Sequence, residues 1–391
     1  MQLQLPQRLL SIDVLRALTM FLMIFVNDVS GVKHIPEWID HAKASDDAMG
    51  FADVIFPAFL FIVGLSLPLA INNRIKKGDN NRRLFYYILT RSAALLIMGF
   101  YHVNLESYSA TAMLPKAVWA LIITFSFFLI WLDYPKTFLK TAKYSLMAAG
   151  LLLLLAMASL YKGGDDSVPH GMRPSWWGIL GIIGWSYLVC GLLYFVLKGN
   201  IKLLLVFYVI FIVINILFHT AVPKGKLWII GDASSVALVM GGVMISKLFA
   251  YLVETGKSNR MWLFLAVAGT GLILAGLLIR PYAEGISKIR STPAWVFICS
   301  GITILAFELT IYLIDVKGNK DWFKWIRPAG TSTLTCYLLP YFQVFLLMLF
   351  NVKYPDVFNY GAGGILRSLL TAFILIQIAG FLEKRHLRLK I

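Results

Sequence analysis

Stretches of about twenty apolar residues, separated by short polar segments, recur along the whole chain, and that is the length a helix needs to cross hydrocarbon. Twelve are recognisable: 9–30, 51–71, 84–101, 114–132, 144–161, 175–197, 203–219, 228–246, 261–279, 293–314, 330–350 and 362–382. The first, fourth, sixth and eighth are the least regular. The fourth opens on Pro115-Lys116, and the eighth carries Gly231, Asp232, Ser234 and Ser235 in its first turns. Broken ends of that kind survive in a membrane only where neighbouring helices or a wet cavity satisfy the backbone. No gap can hold a soluble domain, so residues 1–391 are expected to form one unit. The predicted fold is all-α, a polytopic bundle of about 11–12 transmembrane helices.

Composition excludes a soluble alternative. With 59% hydrophobic and 14% charged residues and a mean hydropathy of +0.75, the chain carries more apolar surface than one aqueous core can bury. Charge then orients it. If the N-terminus is cytoplasmic, inner segments outnumber outer ones in Lys and Arg by roughly two to one, as the positive-inside rule requires. Arg74, Lys76, Lys77, Arg82 and Arg83 crowd one short inner loop. The net charge of +16 is thus mainly a topology signal and gives little reason to expect nucleic acid as a partner. Cys190, Cys299 and Cys336 all fall inside apolar runs and read as buried small residues rather than disulfides or metal ligands. The first run lacks the short apolar core and small-residue cleavage site of a secretory leader, so it is expected to remain as a signal anchor.

This topology makes the outer face the polar one. His34, His41, His102, His170 and His219 fall there or at its edge, and only His386 is cytoplasmic. Acidic residues gather there too, among them Asp28, Glu37, Asp40, Asp46, Asp47, Asp53, Glu106, Asp166 and Glu284. Trp176, Trp177, Trp228, Tyr282, Trp295, Trp322 and Trp325 sit near span ends and read as interfacial anchors. Trp38, in the loop beside His34, is the exception.

Imidazole can take a proton from an incoming amine or hydroxyl, or accept an acyl group itself. His34 is the leading candidate, with His41, seven residues on, as the rival base. Asn27, near the end of the first span, could hold an acyl carbonyl or oxyanion or serve as a helix cap beside Gly31. Asp53, at the outer start of the second span, could orient the imidazole as a carboxylate does in a triad or simply compensate the helix dipole. Glu308 is the one carboxylate deep inside a span, where charge usually faces an interior path or a basic partner. No phosphate-binding glycine loop, His-Glu-x-x-His motif or clustered metal ligands are present.

Several segments together resemble the heparan-alpha-glucosaminide N-acetyltransferase family and its bacterial relatives. They are residues 8–19, from Arg8 through Asp13 and Arg16; the Val26-Asn27 pair; Lys33-His34 with Trp38; residues 52–64, from Ala52-Asp53 to Gly64; residues 286–296, with Lys288 and Trp295; and residues 328–338. The resemblance implies a single transmembrane acyltransferase domain that takes acetyl-CoA from the cytosol and acetylates an amino sugar on the far side. It places the catalytic histidine on His34 and the active-site asparagine on Asn27; Asp53, from its position at the start of the second span, is expected to steady the imidazole. Asn27 and Lys288 are then expected to meet the donor, and Glu37, Trp38 and His41 the acceptor. The pattern departs at Arg16-Ala17, Ser287-Lys288 and Gly330-Thr331-Ser332, and residues 39–49 lengthen the loop beyond that of the animal enzyme. That insertion is expected to decide the acceptor.

The expected placement is a bacterial inner membrane, since no luminal extension precedes the first span, with lipid around the chain and a homodimer implied by the resemblance alone. No metal is expected. The competing reading is a proton-coupled transporter or flippase using the outer histidines and Glu308.

Overall fold

A computed structural model describes residues 10–165, 168–220 and 229–391. Arg8, Leu9, Asp166 and Trp228 lie outside the described residues. The twelve apolar runs are helical: α1 (Leu10–Val29), α2 (Ala52–Lys76), α3 (Asn81–Val103), α4 (Lys116–Trp131), α5 (Lys140–Ser159), α6 (Gly178–Val196), α7 (Ile201–Thr220), α8 (Ser234–Glu254), α9 (Ser258–Ile279) and α10 (Pro293–Thr310), then α12 (Thr333–Leu349) and α13 (Gly361–Lys384), with a five-residue α11 (Arg327–Thr331) before α12. Ten of the described helices are long and apolar enough to cross a membrane, and α4 and α12 are apolar but shorter. The chain is an all-α, multi-pass membrane protein.

Helix ends differ from the expectation where polar groups set them. The eighth run begins as helix only at Ser234, because the Asp232 carboxylate accepts the Ser234 amide at 3.0 Å and Ala233 turns with φ +64°. A side-chain oxygen placed before the first turn is a standard helix start. The third helix starts earlier than its apolar run, at Asn81, since the Asn80 side chain accepts from the Arg83 amide at 3.0 Å. The eleventh run breaks at Ser332, dividing α11 from α12. Residues Ile311–Val316 continue α10 as a π-helical turn.

Contacts between loops test the predicted alternation of faces. On the inner side Asp133 binds Arg388 at 3.1 Å and Lys390 at 3.0 Å, and Asp315 accepts the Leu10 and Ser11 amides that open α1. On the outer side the Lys33 amide donates to the Asn359 carbonyl at 3.0 Å, Asn104 accepts from the Arg173 amide at 2.9 Å, and Asp47 binds Arg280 at 2.9 Å. Each contact joins segments assigned to the same face.

Helices α2 and α8 are the most buried, whereas α5, α7 and α9 present most of their length outward. The α2–α8 contact depends on glycine. A Cβ on Gly64 would lie 1.9 Å from the Val239 carbonyl oxygen, and one on Gly242 would lie 2.0 Å from that of Phe61. Small residues that let two backbones meet are the usual adhesive between helices in lipid, where apolar burial gives little preference for protein over acyl chain. This close crossing, with α10 packed against α2 and α9, fixes the outer ends of α2 and α10 side by side.

Candidate active site

The loop between α1 and α2 folds around one carboxylate. Asp53, in the first turn of α2, is 1% exposed, and its Oδ2 accepts the amides of Ala42 at 2.9 Å and Gly50 at 3.0 Å. Its Oδ1 lies 2.6 Å from His41 Nδ1. The loop closes through backbone bonds from Phe51 to the Trp38 carbonyl and from Ala52 to that of Ile39. Gly50 permits this closure, since a Cβ there would lie 1.8 Å from the Asp40 carbonyl oxygen. Residues 40–50 therefore form a collar wrapped around the Asp53 carboxylate.

A second loop docks on the collar. The Ile286 amide donates to Asp47 Oδ1 at 2.6 Å, Arg280 holds Asp47 Oδ2 at 2.9 Å, and Arg290 donates to the Asp46 carbonyl at 3.2 Å. The Ile286 amide, ahead of Arg280 and against the opposing effect of burial, holds the Asp47 carboxyl below its usual range. Residues 287–292 close on themselves through Ser287 and Thr292 and present Lys288. Its Nζ comes within 3.1 Å of His41 Nδ1, 3.5 Å of His41 Nε2 and 3.8 Å of Asp53 Oδ1. Burial pushes the Lys288 ammonium below the ordinary lysine range, resisted by the charge of Asp53.

Trp295 completes the mount. It was expected at the membrane interface, but it is 3% exposed and donates Nε1–H to the Asp53 carbonyl at 3.0 Å. Cys299, one turn further along α10, approaches the same oxygen. Asp53 is thus held at its main-chain carbonyl by α10 and at its carboxylate by the collar, with Lys288 of the loop before α10 alongside. Trp176, Tyr282, Trp322 and Trp325 are exposed, as interfacial anchors should be.

The pairing of Asp53 with His34 is corrected: Asp53 meets His41. His34 takes a left-handed backbone, φ +56°, and its ring stacks on Tyr360 with centroids 5.8 Å apart. Among the described residues no carboxylate reaches that ring. The reason is the path of the chain, since Lys33 pairs with the backbone around Tyr360 at the start of α13 and carries His34 away with it. Asn27 is exposed in the last turn of α1, and Glu37 and the 67%-exposed Trp38 lie on the outer rim. Asp28 ties α1 to α13 through Arg367 at 3.0 Å and Ser368 at 2.7 Å.

The remaining candidates stand apart. His102 is buried in α3, stacked on Tyr341 at 3.9 Å. His219 pairs with Glu284 at 3.0 Å, and His170 contacts the carbonyl of its neighbour Gly171. Glu308 lies in a groove with Trp262, Leu305, Leu309 and Tyr312 between α9 and α10, and among the described residues it has no basic partner. The described residues contain no group of three or more His, Cys, Asp or Glu placed to hold a metal ion.

Chemically, an imidazole with its Nδ1–H anchored on a buried carboxylate has a defined tautomer and presents Nε2 as a proton acceptor. An ammonium beside it supplies positive charge for a developing oxyanion. Of the residues singled out by sequence, the structure brings together His41, Asp53 and Lys288, adds Trp295 and Cys299, and places His34, Glu37 and Trp38 elsewhere in the outer loops.

Comparison with known proteins gives a consistent direction. The family model described as "Domain of unknown function (DUF5009)" matches residues 8–217. A stretch of 100 residues is 37% identical to heparan-alpha-glucosaminide N-acetyltransferase of Homo sapiens, covering 26% of this chain and 14% of that protein. A stretch of 97 residues is 34% identical to the protein of the same name from Mus musculus, covering 25% and 14%. The likeness therefore spans far less than two thirds of either curated relative.

Proposed function

The chain belongs to the DUF5009 family, and from its likeness to the named N-acetyltransferases, together with the imidazole mounted on Asp53, we propose that it is a membrane acetyltransferase. Acetyl-CoA is the donor, reached from the cytoplasmic side. The acceptor is the amine of an amino sugar or related glycan on the periplasmic face of a bacterial inner membrane. The observation that carries this reading is the Asp53–His41–Lys288 constellation, built on the outer end of α2 and completed by the loop before α10.

His41 is the general base. With Nδ1–H donated to Asp53, Nε2 takes a proton from the acceptor amine as its nitrogen attacks the thioester carbonyl. The new C–N bond forms, the C–S bond breaks, and the proton passes from His41 to the departing CoA sulfur. A two-step route through an acetylated imidazole would use the same nitrogen. Lys288 stabilises the carbonyl oxygen as it gains charge, and Asn27, exposed at the outer end of α1, is assigned to the donor by the resemblance alone. Glu37, Trp38 and His34 form the exposed rim that the sugar meets.

The test compares His41→Ala with His34→Ala in purified, correctly folded protein. His41→Ala is expected to lose at least about 100-fold in the rate of acetyl transfer, while His34→Ala retains kcat. The reverse result returns the base to His34. Absence of thermal stabilisation by CoA or acetyl-CoA would remove the enzymatic reading itself, since a ligand that binds the folded state must stabilise it.

A further inference from the structure

On the opposite side of the bundle, two guanidinium groups alternate with tyrosine rings along the path from the cytoplasm. Arg74, in the last turn of α2, binds Asp79 at 2.8 Å and lies 3.7 Å from the centre of the Tyr87 ring. Arg91, one turn deeper on α3 than Tyr87, donates to the Tyr87 hydroxyl at 3.3 Å and sits 5.2 Å from the centre of the Tyr187 ring on α6. The Arg91 position is more than two turns beyond Arg82 and Arg83 and therefore within the membrane-spanning part of α3. Tyr194, two turns along α6 from Tyr187 and toward the cytoplasm, donates to Asn72 at 3.1 Å.

The polar inventory of this cluster is unbalanced. Arg91 Nε is enclosed and has no hydrogen-bond partner, while the enclosed Tyr187 hydroxyl faces that of Tyr87. Among the described residues no Asp or Glu pairs with Arg91. An arginine inside a membrane span is costly unless a counter-charge or water meets it, and a buried donor left unpaired forfeits its desolvation free energy. Arg91 as a whole is intermediate in exposure. The unused donor is the Nε–H of the Arg91 guanidinium, with the Tyr87 and Tyr187 hydroxyls beside it on facing helices and Arg74 nearer the cytoplasm. Planar guanidinium groups suit phosphate oxygens.

We infer that Arg91, with Tyr187 and Arg74, forms a phosphate-binding site entered from the cytoplasmic face and separate from the Asp53–His41–Lys288 site on the outer side. Its occupant is the phosphorylated end of the acyl donor, an assignment that rests on the proposed acetyl-CoA chemistry. The anion site by itself does not depend on that chemistry. The arrangement divides the labour along the bundle: phosphate is held at Arg91 while the thioester end extends toward the outer site.

Three probes separate these claims, each applied to wild type, Arg91→Gln and Arg91→Lys in nanodiscs of neutral lipid, with monodispersity and unliganded Tm as folding controls. Inorganic pyrophosphate should raise the Tm of wild type, and Arg91→Gln should lose that shift. CoA should bind about 10- to 100-fold more weakly to Arg91→Gln, the loss expected for a charge-assisted contact, with Arg91→Lys intermediate. Pantetheine, which lacks the phosphates, should bind both proteins equally. An Arg91-dependent response to pyrophosphate without any binding of CoA would keep the anion site and refute the acyl-donor assignment. An Arg91-dependent shift on adding phosphatidylglycerol, with none from pyrophosphate or CoA, would assign the site to lipid and overturn the inference. Equal responses of wild type and folded Arg91→Gln to pyrophosphate and CoA would also overturn it. Should Arg91→Gln not fold, Tyr187→Phe, which removes only the phenolic donor, should weaken CoA and pyrophosphate and spare pantetheine, and an unchanged response would likewise overturn it.

Discussion

Replacing Asp53 with Asn isolates what the carboxylate does. It accepts three hydrogen bonds, from His41 Nδ1 at 2.6 Å and from the amides of Ala42 and Gly50 at 2.9 and 3.0 Å, and both amides point at Oδ2. An asparagine offers one acceptor oxygen and one NH₂ group. Keeping both backbone donors satisfied puts the oxygen where Oδ2 was and turns NH₂ toward His41. Nδ1 must then become the acceptor, the ring proton moves to Nε2, and the nitrogen assigned to the reaction can no longer take a proton. The loss is the contribution of general-base catalysis, about 10²- to 10⁴-fold in kcat, equivalent to about 3–5 kcal/mol of transition-state stabilisation. Folding should suffer less, by about 1.5–3 kcal/mol, the range for a hydrogen bond to a charged group, because the two collar bonds persist. The assay is the initial rate of acetyl transfer from acetyl-CoA to a glucosamine acceptor, with Tm measured on the same preparation. A folded Asp53→Asn protein with kcat within about threefold of wild type would refute the tautomer argument.

Two further outcomes test the scaffold. Asp47 has its folded pKa depressed by the Ile286 amide and by Arg280, so its contribution to stability is complete above the unfolded carboxylate value and is lost as pH falls through the folded one. Wild type should therefore lose slightly more stability than Asp47→Asn between about pH 5 and pH 3, and parallel pH–Tm curves would count against the loop docking; the half-exposed pair makes the difference small. Gly64→Ala would place Cβ 1.9 Å from the Val239 oxygen, forcing α2 and α8 apart at a cost of about 1–3 kcal/mol or more. An unchanged Tm in detergent would show that the crossing is looser than described.

The twelve apolar helices were legible, ten of them among the described residues long enough to span, because lipid imposes a length and a composition on any helix that crosses it. Which segments share a face was legible from the alternation of the runs, while which face is cytoplasmic rests on the distribution of Lys and Arg alone. Within the site, Asp53, Lys288 and His41 were all named from the sequence, but His41 only as the rival base and an acceptor contact, with Asp53 paired to His34. His34 and His41 occupy one loop, and which of them reaches α2 depends on distant contacts: Lys33 with the chain at Tyr360, and Gly50 against Asp40. An aromatic at a span end, such as Trp295, has the same sequence signature whether it faces headgroups or protein. Lipid-facing and protein-facing surfaces are about equally apolar, so the buried side of α10 carries no compositional mark. Helix starts shifted where a single side chain such as Asp232 or Asn80 supplied the cap.

The hydrogen bond from Trp295 to the Asp53 carbonyl spans 242 positions of sequence. During synthesis α2 enters the membrane long before α10 is made, by about 10–50 s at ordinary rates of elongation. Throughout that interval Asp53 and His41 lack Lys288, Trp295 and Cys299, and the collar lacks the loop it docks on. A nascent chain therefore carries His41 and Asp53 without Lys288, Trp295 and Cys299 until its ninth and tenth helices are made, so the constellation is completed late in synthesis rather than at the arrival of the histidine.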